Sequence, residues 1–288
     1  MKAKRFFFMT VVLLLPLNLH AADRLMFGIN PGAYGSEDQW VLRDSFQPLA
    51  DYIGKAAGTQ VRTDITQSFK AIDTHAGKGR YDLLMGPTNV IAEAYKVSGF
   101  NPVAKFKDLA SVLLVRESSP YKTIASLKGS RIGMVSRKTL IGQLAAHLLQ
   151  SQGVMLNRDF KQVQEINFQD TLVSLLLENS VDVISVGPKV AGEALKAHPG
   201  KLRILAKADP VPGFAISLAR DMPPEQAKKI TEALVTIGDS ASGKAALAAI
   251  RVGGGAGNTH LTKTSSAEYV KAMELIGAAK NLYPVQAK

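Results

Sequence analysis

Two stretches of the sequence repeat one order of residue types and so limit the folds open to the chain. Residues 81–87 read YDLLMGP and residues 181–188 read VDVISVGP. In each, an aspartate precedes an apolar run, the run ends in Gly-Pro, and a helical segment containing Glu-Ala follows, at Glu93 and Glu193. Gly-Pro is ordinary turn chemistry, so two unrelated strand–helix joints would look the same. We interpret the repeat as two lobes of similar construction, each presenting a turn at the end of a strand.

Strand-like runs alternate with helix-like runs along most of the chain. Apolar residues alternate with others over residues 131–135, whereas residues 141–148 carry apolar residues at helical spacing. Strands separated by helices favour parallel βαβ units. We therefore predict an α/β fold of two lobes, each a mainly parallel sheet flanked by helices, joined by a two-segment hinge. The first lobe comprises residues 22–112 and 211–288, and the second comprises residues 113–210.

The N-terminus has the composition of a secretory signal peptide. Three cations within the first five residues precede an apolar run over residues 6–17, and small residues follow before Ala22. The run is too short to span a bilayer as a permanent helix. We assign residues 1–21 to a cleavable signal peptide and expect a periplasmic mature chain. A lipid anchor is not expected, because no cysteine follows the signal.

Composition excludes several classes of function. Without cysteine, the chain has no thiol catalysis, no zinc–thiolate site and no disulfide framework. The formal net charge is +11, but the positive charges are scattered rather than gathered in a block, so nucleic acid is not an expected partner. A basic exported protein attracts anionic solutes or an anionic membrane surface. Net charge alone does not choose between these two.

No catalytic motif stands out in the sequence. It contains neither a Gly-x-Ser-x-Gly elbow nor a His-Glu-x-x-His pair. The histidines of the mature chain, at positions 75, 147, 198 and 260, are dispersed without ligand spacing. We therefore predict a binding protein, not an enzyme, with no catalytic residues, no metal and no cofactor.

One turn is a candidate anion site. Residues 136–139, Ser-Arg-Lys-Thr, lie between a predicted strand and a predicted helix. The first amides of a helix are unpaired donors with partial positive charge, and two hydroxyls and two cations reinforce them. The alternative is an ordinary capped helix whose arginine and lysine face water.

Several segments of the mature chain are specific in their order and spacing, although no single motif among them is diagnostic. These segments are Phe27–Pro31 (FGINP), Phe46–Ile53 (FQPLADYI), Tyr81–Pro87, Ser111–Arg116, Thr123–Gly129 (TIASLKG), Ser185–Gly187 and Phe214–Asp221. With them, the mature chain as a whole resembles the type II periplasmic solute-binding proteins, and among them the phosphate/phosphite/phosphonate-binding proteins of ABC importers.

The resemblance implies a protein whose lobes close on a small solute and deliver it to an inner-membrane permease. In this family a Ser/Thr-rich turn before a second-lobe helix holds the oxyanion, which here corresponds to Ser136 and Thr139. Arg137 and Lys138 stand where small residues are usual. The family also has a tyrosine after the first Gly-Pro, where this chain has Thr88-Asn89-Val90, and often a histidine where it has Phe168-Gln169.

Ligands of open α/β sheets bind beyond the carboxyl ends of the strands, which selects the candidate contacts. They are Asn30, Thr88 and Asn89 in the first lobe, and Ser136, Arg137, Lys138, Thr139, Gln169 and Ser185 in the second. For the first-lobe residues ordinary capping or turn formation is the alternative, and Thr88 is a natural N-cap.

Three functions are compatible with these residues. The first is a monomeric import receptor for a small oxyanion such as phosphate, phosphite or a phosphonate. The second is the same fold binding a different organic solute, which the missing tyrosine and histidine motivate. The third is a periplasmic sensory partner of a membrane receptor or histidine kinase.

Overall fold

The computed structural model describes residues 24–32, 39–166, 168–250 and 257–277. The signal peptide predicted at residues 1–21 lies outside this range. No helix within the described ranges combines the length and the apolar character needed to cross a membrane.

Strands and helices follow one another in the predicted order. The strands are β1 (Leu25–Ile29), β2 (Val61–Ile65), β3 (Leu83–Gly86), β4 (Asn101–Lys105), β5 (Val112–Arg116), β6 (Arg131–Val135), β7 (Gln162–Ile166), β8 (Val183–Val186), β9 (Leu202–Lys207), β10 (Ala215–Leu218) and β11 (Thr262–Lys263). The helices are α1 (Gln39–Ala57), α2 (Phe69–Gly77), α3 (Thr88–Ser98), α4 (Leu140–Ser151), α5 (Gln169–Leu177), α6 (Pro188–Ala197), α7 (Pro224–Val235), α8 (Ala241–Ala249) and α9 (Ser266–Gly277). Short 3₁₀ turns lie at Ala125–Leu127 and Ile237–Asp239.

Two sheets form the two lobes, which confirms the predicted two-lobed α/β fold. The first sheet has the order β11-β4-β10-β3-β1-β2 and the second has the order β7-β6-β8-β5-β9. The expected parallel units are present at β2-β1-β3 and at β7-β6-β8. Both sheets are nevertheless mixed rather than mainly parallel, because β10 runs antiparallel to β3 and β5 runs antiparallel to β8. β5 and β10 each enter their sheet from the other lobe, so the βαβ rule does not govern their direction.

The chain crosses between the lobes twice, and the two crossing segments pair with each other. The amide of Phe106 donates to the carbonyl of Phe214 at 2.8 Å, and Leu109 and Val211 exchange two backbone hydrogen bonds of 2.9 Å. The amide of Ala208 donates to the carbonyl of Ser111 at 2.8 Å. This short antiparallel ribbon connects the two lobes.

The repeated joint of the sequence occupies the same place in both sheets. Leu83 pairs with Phe27 on β1, and Val183 pairs with Ile132 on β6. Each strand then ends at Gly-Pro, and α3 or α6 begins there. Apolar clusters cover both faces of each sheet, so that β3 and β8 are buried along their whole length. The buried frame therefore holds both turns at the facing edges of the lobes.

Candidate functional site

A narrow cavity lies between the lobes at the carboxyl ends of the central strands. The cavity volume is about 30 Å³. The first lobe and the crossing segments contribute Gly32, Phe69, Pro87, Leu109 and Phe214, and the second lobe contributes Val135, Thr139, Leu140, Ile141 and Gln169.

A wider groove opens at the other end of the first sheet. Arg24, Lys55 and Arg62 are among its lining residues, close to the amino ends of β1 and β2. Ligands of open α/β sheets bind at the carboxyl ends of the strands. The inter-lobe cavity is therefore the candidate site, although the groove is larger.

The turn before α4 uses its hydroxyls internally. Thr139 is the N-cap of α4, and its hydroxyl accepts from the amide of Gly142 at 3.1 Å. The same hydroxyl donates to the carbonyl of Ser136 at 2.7 Å, and the Ser136 hydroxyl accepts from the amide of Lys138 at 3.3 Å. This capping brings the first helical residues, Leu140 and Ile141, to the cavity wall. Amides at such positions have no acceptor within the helix.

The two cations of the turn have different surroundings. The amide and the Nε of Arg137 both donate to the Glu165 carboxylate, at 3.0 and 2.5 Å. This ion pair neutralises the charge that the sequence suggested for an anion. Lys138 is exposed, and among the described residues no acidic side chain pairs with its ammonium. The Lys138 carbonyl instead meets the Asn89 amide group from the other lobe, at 3.5 Å.

Four helices place their N-terminal ends at the cavity. Phe69 is the first residue of α2, Pro87 is the N-cap of α3, Thr139 is the N-cap of α4 and Gln169 is the first residue of α5, and all four line the wall. Each helix N-terminus carries about half an elementary positive charge. The converging dipoles therefore favour an anion without any formally charged side chain on the wall.

Asn30 follows β1 and is fully buried. Its Oδ1 accepts from the amide of Gly32 at 3.0 Å, whereas its Nδ2 has no hydrogen-bond partner among the described residues. Buried donors are almost always paired, so an orphaned one calls for an explanation. Gly32 itself has a φ of +81°, and a Cβ there would lie 2.9 Å from the Phe214 ring.

The remaining predicted contacts have structural partners. The prediction of Thr88 as N-cap is wrong: Pro87 has that position, and the Thr88 hydroxyl donates to the carbonyl of Pro212 in the crossing segment. Helix α3 already begins at Thr88, which frees the hydroxyl for this contact. The Ser185 hydroxyl pairs with that of Ser111 at 2.9 Å, and both residues are fully buried.

The structure brings some of the predicted residues together. Thr139 and Gln169 line one cavity, and Asn89 meets Lys138 across the cleft. The Gln169 Oε1 accepts from the amide of Gly187 at 2.6 Å, which holds α5 against the second Gly-Pro joint. The side chains of Ser185 and Arg137 form their hydrogen bonds with Ser111 and Glu165 and do not line the cavity wall.

Sequence reasoning missed the apolar wall. Phe69 is the first residue of α2, and Phe214 directly follows the Pro/Gly-rich crossing segment. In the sequence, only the position of Phe214 next to the crossing segment could have indicated that it lines the cavity. Among the described residues that line the cavity, none has a titratable side chain. The described part of the chain also gathers no group of three potential metal ligands.

The sequence matches the model of one protein family, described as "ABC transporter, phosphonate, periplasmic substrate-binding protein", over residues 32–269. No protein with a curated description matches it.

Solved structures share the fold at low identity. XAC2383 from Xanthomonas citri, bound to a chloride ion, is 15% identical with a TM-score of 0.73, covering 90% of this chain and 98% of that one. PhnD1 from Prochlorococcus marinus, in complex with methylphosphonate, is 18% identical with a TM-score of 0.71, covering 90% and 99%. A binding protein component of an ABC phosphonate transporter from Pseudomonas aeruginosa is 14% identical with a TM-score of 0.67, covering 90% and 87%.

Proposed function

The chain belongs to the phosphonate-binding family of periplasmic substrate-binding proteins of ABC transporters, and on this premise we propose that it captures a small oxyanion in the cleft between its lobes. Phosphate, phosphite and phosphonates are the proposed class. The mature protein acts as a periplasmic monomer, without a cofactor, and delivers the anion to an inner-membrane ABC permease. It binds and releases its solute without chemistry.

The convergence of four helix N-termini on one cavity carries this proposal. Helices α2 and α3 belong to the first lobe, whereas α4 and α5 belong to the second, so an anion between them contacts both lobes. The orphaned Nδ2 of Asn30 adds a buried donor at the end of β1. An oxyanion that accepts from this donor and from the first amides of α4 satisfies groups that otherwise lack partners.

Hinge closure is the proposed mechanism of capture. The lobes are joined by the paired crossing segments, and the volume of the cavity between them is about 30 Å³. A ligand therefore enters when the lobes part about the ribbon of Leu109 and Val211. Its contacts with both lobes then favour the closed state, because a ligand shifts such an equilibrium by its differential affinity for the two states.

Thermal unfolding with added anions tests the proposal. Phosphate, phosphite, methylphosphonate and sulfate are added to the mature protein, with glycerol as a neutral control. A ligand at 100 times its Kd should stabilise the protein by about 2.7 kcal/mol, which raises the Tm of a chain of this size by about 5 °C. A shift with glycerol but with none of the anions would contradict the proposal.

Asn30→Asp tests the location of the site. The variant keeps an oxygen to accept from Gly32 but replaces the orphaned donor with a negative charge. We expect anion binding to weaken by about 100-fold or more, because like charges then meet in a buried cleft.

Asn258→Asp is the matched control. Asn258 is also buried, but its Oδ1 accepts from the amide of Lys107 at 2.9 Å, whereas that of Asn30 accepts from the amide of Gly32, a residue of the cavity wall. Binding should survive this change. Equal losses of anion affinity in the two variants would show that the introduced charge acts by destabilising the protein. That result would contradict a binding site in the cleft.

Lys138→Gln tests the exposed cation at the rim. Its ammonium attracts an anion through solvent, so the change should weaken phosphate binding by about threefold, with a larger effect at low salt. The control is Lys122→Gln, which removes an exposed lysine away from the cavity.

A further inference from the structure

The wall of the cavity is more apolar than a site for an inorganic anion requires. Apart from Thr139, Gln169 and Gly32, its described residues have only hydrocarbon side chains. These are Phe69, Pro87, Leu109, Val135, Leu140, Ile141 and Phe214. Backbone amides and the Gln169 side chain can hold an anionic head, but nothing polar faces the rest of a ligand.

We propose that the ligand is an organic anion whose substituent is apolar and uncharged, such as an alkyl- or arylphosphonate. This inference rests on the proposed function, since it assigns the oxyanion head to the helix N-termini and only then asks what the wall contacts. The head lies beside Leu140 and Ile141, and the substituent lies against Phe69 and Phe214. The aromatic rings of those two residues come from α2 and from the crossing segment, so the substituent is enclosed by the first lobe.

Two physical effects select this class. Each buried methylene of the substituent should tighten binding about fourfold, the equivalent of about 0.8 kcal/mol. Inorganic phosphate has no such group and leaves the apolar wall unfilled. A zwitterion such as 2-aminoethylphosphonate would bury an ammonium where the described wall has no carboxylate, and an unpaired buried charge is strongly unfavourable.

The small size of the cavity agrees with an apolar wall. Its volume is about 30 Å³, and apolar side chains from both lobes line it. Beside the cavity, Leu140 and Leu144 of α4 pack against Ala272 and Ile276 of α9, a second apolar contact between the lobes. When the cleft opens and closes again on a ligand, an apolar substituent takes over apolar contacts that the side chains of the two lobes otherwise make with each other. A strongly hydrated ligand would have to lose its water there without compensation.

Titration calorimetry of the mature protein with a matched series tests the inference. The probes are inorganic phosphate, methyl-, propyl- and phenylphosphonate, and 2-aminoethylphosphonate. We expect propylphosphonate to bind about 15-fold more tightly than methylphosphonate, from two methylenes at about fourfold each, and phenylphosphonate to bind at least as well. We expect phosphate and 2-aminoethylphosphonate to bind more weakly than methylphosphonate.

Phe69→Ala identifies the wall that contacts the substituent. Phe69 is only partly buried, so its removal spares the core. The variant should lose about tenfold in affinity for phenylphosphonate and less than about twofold for methylphosphonate. Phe160→Ala, which truncates a partly buried phenylalanine of the second lobe outside the cleft, should change neither affinity. Phe214→Leu is a second variant for the same comparison, and its leucine side chain keeps the core filled.

The outcomes separate this inference from the proposed function. If phosphate or 2-aminoethylphosphonate binds most tightly, or if the phosphonates bind equally, the inference is overturned while the oxyanion receptor stands. If no member of the series binds, the proposed function fails and the inference fails with it.

Discussion

In the first lobe the carboxylate of Asp82 accepts from the amide of Met26 at 2.7 Å, and in the second the carboxylate of Asp182 accepts from the amide of Arg131 at 2.9 Å. The two aspartates thus have the same structural role at corresponding positions. Each accepts a hydrogen bond that joins the start of β3 or β8 to the start of its parallel neighbour. The difference lies in what surrounds them. Asp182 also receives the guanidinium groups of Arg131 and Arg116, at 2.8 and 3.3 Å.

The comparison separates the repeated frame from the parts that differ. Both lobes contain a Gly-Pro joint, but the aromatic side chains of the cavity wall, Phe69 and Phe214, come from the first lobe and the crossing segment, whereas its polar side chains, Thr139 and Gln169, come from the second lobe. A shared frame can therefore present aromatic side chains on one side of the cavity and polar side chains on the other. Mutations of corresponding residues measure how far the resemblance between the lobes extends.

The largest difference should come from the two aspartates. Asp182→Ala leaves one backbone amide without its acceptor and removes the carboxylate shared by two partly buried guanidinium groups, although Arg116 keeps the carbonyls of Leu176 and Val181. It should lower the free energy of unfolding by about 3 kcal/mol. Asp82→Ala leaves one backbone amide without its acceptor and should lower it by about 1 kcal/mol. Urea unfolding of both variants measures the difference. Equal losses would mean that the arginines add nothing.

The pH dependence of this difference has a definite sign. The Arg131 guanidinium holds the pKa of Asp182 below its usual range. The folded-state pKa is thus below the unfolded one, which is about 3.9, so the stabilisation is complete above that value and is lost as the pH falls through the folded pKa. The gap between wild type and Asp182→Ala should stay constant from pH 8 to 5 and narrow below about pH 4.

A smaller difference should come from two glycines in the same register of the central strands. A Cβ on Gly28 would lie 2.6 Å from the Tyr81 ring, and a Cβ on Gly133 would lie 2.8 Å from a methyl carbon of Leu172. The Tyr81 ring is held by hydrogen bonds to Asp64 and His75, whereas the Leu172 methyl ends a flexible side chain.

Gly28→Ala should therefore lower the free energy of unfolding by about 2 kcal/mol, and Gly133→Ala by about 1 kcal/mol. Thermal and urea unfolding compare the two variants. A larger loss for Gly133→Ala would show that the packing around Leu172 is the more rigid.

The smallest effect concerns Asp73 of α2, whose pKa responds to Glu93 on the helix that follows the first joint. In the first lobe, burial and the nearby charge of Glu93 raise the pKa of Asp73 to about 6. Because this folded value lies above the unfolded one, ionised Asp73 lowers stability, and the loss develops as the pH rises from about 4 to 6. Asp73→Asn should stabilise the protein by about 1 kcal/mol at pH 7.5, a figure reduced for solvent screening, and by nothing at pH 4.

The corresponding glutamate of the second lobe is the control for this prediction. Glu193 faces Lys189 at 3.9 Å, one helical turn away, rather than another carboxylate. Glu193→Gln should change stability by less than about 0.5 kcal/mol at either pH. A pH-independent gain in Asp73→Asn would point to helix propensity instead of charge.

Much of the fold could be predicted from the sequence, because periodicity and turn residues are local signals. Strand β6 has the predicted bounds Arg131–Val135, and the Asp-to-Gly-Pro repeat identified both joints. Strand direction was the main feature of the fold that the sequence did not predict correctly. An apolar run does not show whether a strand entering from the other lobe pairs in parallel, so β5 and β10 made the sheets mixed.

The site was harder to predict for a related reason. The pairing of Arg137 with Glu165 joins residues of a helix-entry turn and a neighbouring strand. Phe69 and Phe214 come to one cavity from distant parts of the chain. Residue type suggested a site with two cations, and only the three-dimensional neighbours show that the charge of Arg137 is paired and that the wall is apolar.

The most direct test of the account is a crystal structure of the mature protein with 4-bromophenylphosphonate. The bromine gives an anomalous signal that marks the end of the aromatic substituent, independently of the density for the head. We predict a bromine peak within the cleft on the side of Phe69 and Phe214, with phosphonate oxygens about 3 Å from the amides of Leu140 and Ile141. A bromine peak that points to solvent, lies in the groove near Arg24 and Lys55, or is absent from the cleft at saturating ligand would contradict it.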